Sequence, residues 1–301
     1  MVVEIVEVGP RDGLQNEAVV VSTDLKIEFV RLLAAAGARR IEVTSFVRPD
    51  RVPQLADAEA VLAGLHLPDV TTSALVLNEH GLRRAHAAGV DEVNLVVVAS
   101  DTFSARNQGT GTAGAMATAG RLAGRAKDAG IRVTLTIGAA FGCPFEGEVD
   151  PGRVLDLAAR AHAVDADEVC LADTIGVATP GRVSTLVRAV REVTSLPVRC
   201  HFHNTRNSGY ANAYAALAAG AVALDASSGG IGGCPFAPRA TGNIATEDLA
   251  WALHRDGHRT GMDIPALLRA TALVERTLGR RTPALLARTD PFPTPKATTQ
   301  Q

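Results

Sequence analysis

One rhythm of apolar and polar positions repeats down the chain. A short run rich in β-branched and aliphatic residues is followed by a Gly, Ser, Asp, Asn or Pro break. A longer Ala- and Leu-rich stretch with helical spacing comes next. The apolar runs predict strands at 3–8, 39–46, 71–77, 92–99, 132–138, 167–173, 198–203 and 221–227. Between them lie helical segments, among them 23–37, 78–89, 113–130, 151–164, 180–193 and 208–220. Several open on Ser, Thr or Asn as an N-cap, or on Pro in the first turn, and several end at Gly. Eight β-α units in about 250 residues is the count for a (β/α)8 TIM barrel. An open doubly wound sheet usually has fewer strands, and no GxGxxG follows the first one. From about residue 246 more helix follows, including PALLRATALVERTLGR at 265–280. The fold class is therefore α/β: a TIM barrel with extra C-terminal helices, one domain over 1–290, with the Pro/Thr-rich residues 291–301 as a disordered tail.

Such barrels carry their chemistry at the C-terminal ends of the strands, and period-2 alternation says which side chains point inward there. On strand seven, Arg199, His201 and His203 share one face, and Val198, Cys200 and Phe202 share the other. The apolar set belongs against the helices, so both histidines point into the barrel. Two imidazoles at i, i+2 can chelate one divalent ion; a lone buried histidine is more often a satisfied core residue, but two on the polar face of a barrel strand favour a metal. On strand two, Arg40, Glu42 and Thr44 alternate with Ile41 and Val43, which turns Glu42 inward. A buried carboxylate there requires a cation, and Arg11 would serve. Gly9-Pro10 stop strand one and leave Arg11 and Asp12 at its mouth, where a surface turn would explain them equally well. Asp173 ends strand six as a turn or site residue, and Asp225 on strand eight reads as structural. SDTFSARNQGTGT after strand four reads as a surface loop carrying Arg106 and Asn107. After strand eight, SSGGIGGCPFAPRATGNIATED is a glycine-rich segment framing Cys234, the pattern of a lid that delivers a thiol or of a linker with a free cysteine, with Asn243 just after it.

Composition narrows the ligand classes. The chain has 301 residues, 47% hydrophobic and 21% charged, enough for a core that holds a buried polar site. A net charge of −2 without a basic run argues against nucleic acid. No apolar run reaches the roughly 18 residues of a membrane span. MVVEIVEVGPRDG reads as a strand rather than a signal peptide. Cys143, Cys170, Cys200 and Cys234 are far apart with no CxxC, which points to free thiols in a reducing cytoplasm.

The strand-end residues, in this order, resemble the 3-hydroxy-3-methylglutaryl-CoA lyase family of divalent-metal barrel lyases. EVGPRDGLQNE at 7–17, IEVTSFVRPDRVPQLAD at 41–57, GCPFEGEV at 142–149, LADTIGVATPG at 171–181 and GGIGGCPFAPRATGNIATEDL at 229–249 carry the resemblance, which covers about residues 3–265. It implies the same barrel and a metal, Mg²⁺ or Mn²⁺, on Asp12, His201, His203 and Asn243. It implies Arg11, Cys234, Glu42 and Asp173 as catalytic residues. Gln15, Asn107 and Thr205, with Arg11, are the expected substrate contacts. The implied reaction is retro-Claisen cleavage of 3-hydroxy-3-methylglutaryl-CoA, or a close 3-hydroxy-acyl-CoA, to acetyl-CoA and acetoacetate or another keto acid. Leucine catabolism and ketone-body chemistry would be the setting, with an acyl-CoA partner and a homo-oligomer, dimer or tetramer. Two stretches depart from the family pattern: Asn204-Thr205-Arg206-Asn207 after the second histidine, with an added positive charge, and Pro238-Arg239 in the cysteine loop.

Three rival readings share parts of this pattern. A Claisen-type synthase of the same superfamily would keep the ligands and Arg11, but the cysteine loop favours a lyase. A metal-dependent hydrolase usually places HxH on its first strand. A non-catalytic acyl-CoA binder need not retain both a chelate and a lid thiol.

Overall fold

The computed structural model describes residues 1–233, 242–290 and 292. Eight strands close into a barrel in sequence order: β1 (Glu4–Glu7), β2 (Arg40–Ser45), β3 (Thr71–Val76), β4 (Glu92–Val98), β5 (Arg132–Gly138), β6 (Glu168–Asp173), β7 (Val198–Phe202) and β8 (Ala223–Ala226). Each falls inside a run read from the sequence. All neighbours are parallel, and β1 closes on β8 with Glu4 opposite Ala223 and Glu7 opposite Ala226.

Helices follow the strands: α1 (Thr23–Ala35), α2 (Ala58–Ala63), α3 (Glu79–Ala87), α4 (Asp101–Gln108), α5 (Thr112–Asp128), α6 (Pro151–Ala163), α7 (Pro180–Val193), α8 (Gly209–Ala218) and α9 (Thr246–Arg255). The predicted C-terminal addition is α10 (Ile264–Leu278), started by Asp263 accepting from the Ala266 amide and ended by Gly279 at φ 64°. The predicted loop after strand four is instead helix α4. Ser100 Oγ caps it by accepting from the Phe103 amide, and left-handed Gly109 ends it. The cap and the glycine were both in the sequence, but eight residues with little apolar periodicity hid the helix between them.

The large apolar core lies between barrel and helices. Ile41, Val43, Leu95, Leu135, Ile137, Leu171, Phe202 and Leu224 form its strand side. Inside the barrel the packing is different. Val6, Val8 and Ala223 form a small apolar cluster of their own. Elsewhere the interior is ionic. Arg40 reaches Glu92 through two nitrogens at 2.7 and 2.8 Å, and Glu168 at 2.7 and 3.0 Å. Thr134 Oγ1 lies between the two glutamates. Isolated charges at that depth would be prohibitive, so each must be paired where it stands.

One expected face is corrected by the backbone. Pairing of β2 with β3 shifts between Glu42 and Thr44: Glu42 stands opposite Ser73, but Thr44 opposite Ala74. The extra residue is a bulge, which reverses the alternation beyond it. Arg40 and Glu42 face inward as expected. Thr44 sides with Ala74, whose methyl belongs to the helix-side core, and the inward position at the end of β2 passes to Ser45.

Candidate active site

The side chains at the mouth of the barrel come from both ends of the sequence. After β1 the chain turns through a five-residue π-helical turn, Gly9–Gly13, in which the Asp12 and Gly13 amides both donate to Val8 O. That turn lifts Arg11 and Asp12 side by side above the strand. Arg11 Nη1 donates to Asp12 Oδ1 at 2.7 Å, and its Nε donates to Glu42 Oε2 at 2.7 Å. The other Glu42 oxygen accepts from Asn94 Nδ2 at 2.9 Å, and Asn94 Oδ1 from Thr136 at 2.7 Å. The inward carboxylate thus has Arg11, the candidate the sequence offered, as its partner. Burial opposes the guanidinium's charge, but Glu42 and Asp12 outweigh it and raise its pKa. Both sides of the pair are aligned by hydrogen bonds, so Arg11 is held in one orientation.

His201 and His203 stand inward on β7 and just beyond it, ring centroids 5.1 Å apart. One ligand atom each from Asp12, His201 and His203 all lie within 4.8 Å of one another. His201 Nε2 is 4.0 Å from Asp12 Oδ2, too far for a hydrogen bond and within the span of two donors sharing one cation at about 2.1 Å. Asn243 closes the group from the other end of the chain. Its Nδ2 donates to Asp12 Oδ2 at 2.8 Å and to Ile231 O at 3.0 Å. Gly232 lets these segments meet: at φ 114°, a Cβ there would stand 2.5 Å from Asn243 Nδ2 and 3.1 Å from Asp12 O.

The donor set passes a chemical test for a divalent cation. Asn243 Oδ1 and His203 Nδ1 are buried with no hydrogen-bond partner among the described residues, an arrangement that is costly unless a ligand completes it. Burial and the neighbouring His201 push the His203 pKa down to about 4, so the ring is neutral with a free lone pair. For Asp12, burial works against ionisation, but Arg11 and the two histidines bring its pKa down to about 2. Burial also opposes charge on His201, yet the bond to Asp225 and the Asp12 charge raise its pKa overall. An ionised carboxylate, two imidazoles and an amide oxygen form a mixed O/N set suited to a borderline-hard divalent ion.

The remaining expected residues fall in different places. Asp173, buried at the end of β6, accepts from the Val177 amide at 2.9 Å and the Ala178 amide at 3.0 Å, which ties down the β6–α7 loop. Thr205 packs against Gly176 of that loop, where an added Cβ would be 2.8 Å from Thr205 Cβ, and its hydroxyl is buried without a partner among the described residues. Gln15 is half-buried beyond the π-turn, beside Asn16, whose Nδ2 donates to Gly233 O at 2.7 Å. Asn107 is exposed on the last turn of α4. Its neighbour Arg106 stacks 4.2 Å from the Phe145 ring centroid. Cys234 and Pro238-Arg239 lie outside the described residues.

Three side chains hold places that sequence reasoning did not give them. Asp225 Oδ2 accepts from His201 Nδ1 at 3.1 Å; the alternation that oriented β7 would have turned it inward on β8. Ser45 reaches the inner rim only through the bulge, and its Oγ is buried without a partner among the described residues; no sequence signal marks that shift. Arg206, the added charge, donates to the carbonyls of Ile175 at 3.0 Å and Gly176 at 2.8 Å. It straps the β7 loop to the β6 loop.

The chain matches the HMGL-like family over residues 2–274. It belongs to that family. It is 44% identical over 301 residues to the (R)-citramalyl-CoA lyase of Chloroflexus aurantiacus, covering 96% of this chain and 95% of the relative. To the cytoplasmic 3-hydroxy-3-methylglutaryl-CoA lyase of Rattus norvegicus it is 39% identical, covering 95% and 84%. The HMG-CoA lyase of Bacillus subtilis superposes with a TM-score of 0.93 at 36% identity, covering 95% of this chain and 97% of that one. An HMG-CoA lyase of Acinetobacter baumannii, solved with coenzyme A and 3-methylmalate, superposes at 0.92 with 37% identity, covering 100% and 97%. This HMGL-like chain is therefore a carbon–carbon lyase acting on CoA esters, built on the barrel that its alternation implied. No helix among the described residues is long and apolar enough to cross a membrane.

Proposed function

We propose that this HMGL-like chain cleaves 3-hydroxy-3-methylglutaryl-CoA to acetyl-CoA and acetoacetate with a divalent metal, Mg²⁺ or Mn²⁺, held by Asp12, His201, His203 and Asn243. The observation that carries this reading is the meeting of Asp12, His201 and His203 within 4.8 Å, beside an arginine fixed by Glu42. Bound there, the cation supplies positive charge that orients and acidifies a hydroxyl flanked by a carboxylate.

The chain's own residues account for the rest. Arg11 cannot reorient freely, because Glu42 and Asp12 hold it from two sides. It is therefore a preorganised donor for the thioester oxygen, on which negative charge develops as the C2–C3 bond breaks. A single donor of this kind lowers the barrier by roughly 3–4 kcal/mol. A general base takes the hydroxyl proton as the C2–C3 bond breaks; the new C=O leaves with the keto acid and the C2–C3 electron pair stays on the thioester as the enolate of acetyl-CoA. Cys234 is the proposed proton source for that enolate carbon. Glu42, with both oxygens in hydrogen bonds, holds Arg11 rather than moving protons. The two amide bonds to Asp173 favour a loop-holding part for it over proton transfer.

A second reading is favoured by one observation. The citramalyl-CoA relative is the more similar, at 44% against 39% identity. Citramalyl-CoA carries the same tertiary hydroxyl and methyl with one methylene fewer before the carboxylate, so the same groups would cleave it to acetyl-CoA and pyruvate. Metal-stripped enzyme offered both thioesters separates the readings. Cleavage restored by Mg²⁺ or Mn²⁺, with acetoacetate as co-product, is expected. Pyruvate alone would move the assignment to the shorter substrate. Undiminished turnover in chelator would remove the metal from the reaction.

A further inference from the structure

A line of charge runs up the barrel and ends on one ligand histidine. Arg40 holds Glu168 at the lower end. Arg199 Nε follows, 3.4 Å from Glu168 Oε1 and 3.3 Å from Asp225 Oδ1, at ion-pair range though aligned as a hydrogen bond with neither. Asp225 Oδ2 then accepts from His201 Nδ1 at 3.1 Å, with the Cys170 thiol 3.9 Å from the same oxygen. Asp225 and Arg199 are 5% and 2% exposed, so these contacts are shielded from bulk solvent.

We infer that Asp225 is a positioning residue that locks the His201 ring for metal binding, and that Arg199 balances the charge this requires. This rests on the metal reading above. An imidazole has two nitrogens and can present either. With Nδ1–H donating to Asp225, the proton is fixed on that nitrogen and the lone pair falls on Nε2, the atom facing Asp12 at 4.0 Å. His203 has no such anchor: neither of its ring nitrogens is hydrogen-bonded among the described residues, and its buried Nδ1 is the atom left for the ion. One ring is thus preorganised and the other is not, and removing the anchor leaves a site whose rings must both be ordered by the ion. A carboxylate so deep needs a counter-charge, and Arg199 is the cation at ion-pair distance from its free oxygen.

The test is titration of metal-free protein with Mn²⁺, followed by paramagnetic resonance at fixed pH. The variants are Asp225→Asn, Asp225→Ala and the charge-balanced pair Arg199→Met/Asp225→Asn. Glu92→Gln, in the ion cluster at the lower end of the barrel, is the control. Loss of the anchor is expected to weaken Mn²⁺ binding by about 10- to 100-fold. Cleavage lost by the Asp225 variants should return at high Mn²⁺, while Glu92→Gln lowers the melting temperature and leaves the Mn²⁺ Kd unchanged. Should a single variant fail to fold, the charge-balanced pair decides. Folded Asp225 variants with wild-type Kd, or a Glu92→Gln loss as large as theirs, would overturn the inference and leave the metal reading standing. A wild-type protein that binds no Mn²⁺ would sink the metal reading, and the positioning role with it.

Discussion

At the residue scale, the Arg11–Glu42 pair joins function to stability. Glu42 points inward because β2 alternates, and it tolerates burial because Arg11 meets it at 2.7 Å. Replacing Arg11 by Met leaves Glu42 with only Asn94, and uncompensated buried charge of this kind costs about 3–5 kcal/mol. Arg11→Met is therefore expected to lose on the order of 10²–10³ in kcat and to unfold at clearly lower urea. Arg11→Met/Glu42→Gln should regain most of the stability and none of the turnover. If the double variant recovered activity, Arg11 would have no part in the chemistry. The residue types here were legible in the sequence; the Arg11–Glu42 partnership was an expectation that the distances confirmed. Ser45 was not legible, because a bulge has no residue signature of its own at this position.

At the element scale, two carboxylates brace the start of the β8–α9 loop from outside the barrel. Glu7 accepts from the Gly9 and Ser228 amides and from Thr246 Oγ1. Glu247 accepts from the Gly229 amide and from Thr271 Oγ1. Neither hydrogen-bonds a basic group among the described residues. Burial is the main cause that raises each pKa from 4.5 to about 7, with each helped upward by a nearby acid. The folded values lie above the unfolded ones, so the folded state holds more protons between about pH 4.5 and 7. Their contribution is fully present below about 4.5 and is lost as pH rises through about 7. Glu7→Gln can keep the two amide bonds and donate to Thr246, so it removes the titration with little rearrangement. Its melting temperature relative to wild type is expected to climb between pH 5 and 8 by several degrees. A difference that stays level across that range would refute the account.

For the molecule as a whole, the polar interior is the unusual feature. Many such barrels fill with branched apolar side chains; here Arg40, Glu92 and Glu168 occupy that space, all 3% exposed or less. The contribution expected of such a network is specificity of register rather than raw stability, since misaligned strands would bury unpaired charge. Arg40→Met should therefore be among the most damaging single changes, leaving Glu92 with only the half-exposed Arg132 and Glu168 with Arg199 and Arg132 at longer range, at a cost of about 3–5 kcal/mol. Arg40→Met/Glu92→Leu/Glu168→Leu should recover stability by denaturant unfolding. Failure of the triple variant to improve on Arg40→Met would mean that the charges do more than satisfy one another.

Local chemistry in the sequence determined the strand and helix rhythm, the barrel count and which histidine face turned inward. These depend on period, caps and apolar spacing, all of which act within a few residues. Strand-end residues and long ordered motifs also carried the family. Tertiary structure alone decided what converges. Asp12 and Asn243 are 231 residues apart and hydrogen-bonded, and Asp225 anchors His201 because β8 lies beside β7 in register. The bulge handed the inner rim from Thr44 to Ser45, and the carbonyls of the β6 loop captured Arg206. Closure of a parallel barrel brings every strand end to one mouth, and distances across that mouth are set by register and shear rather than by any local run of residues.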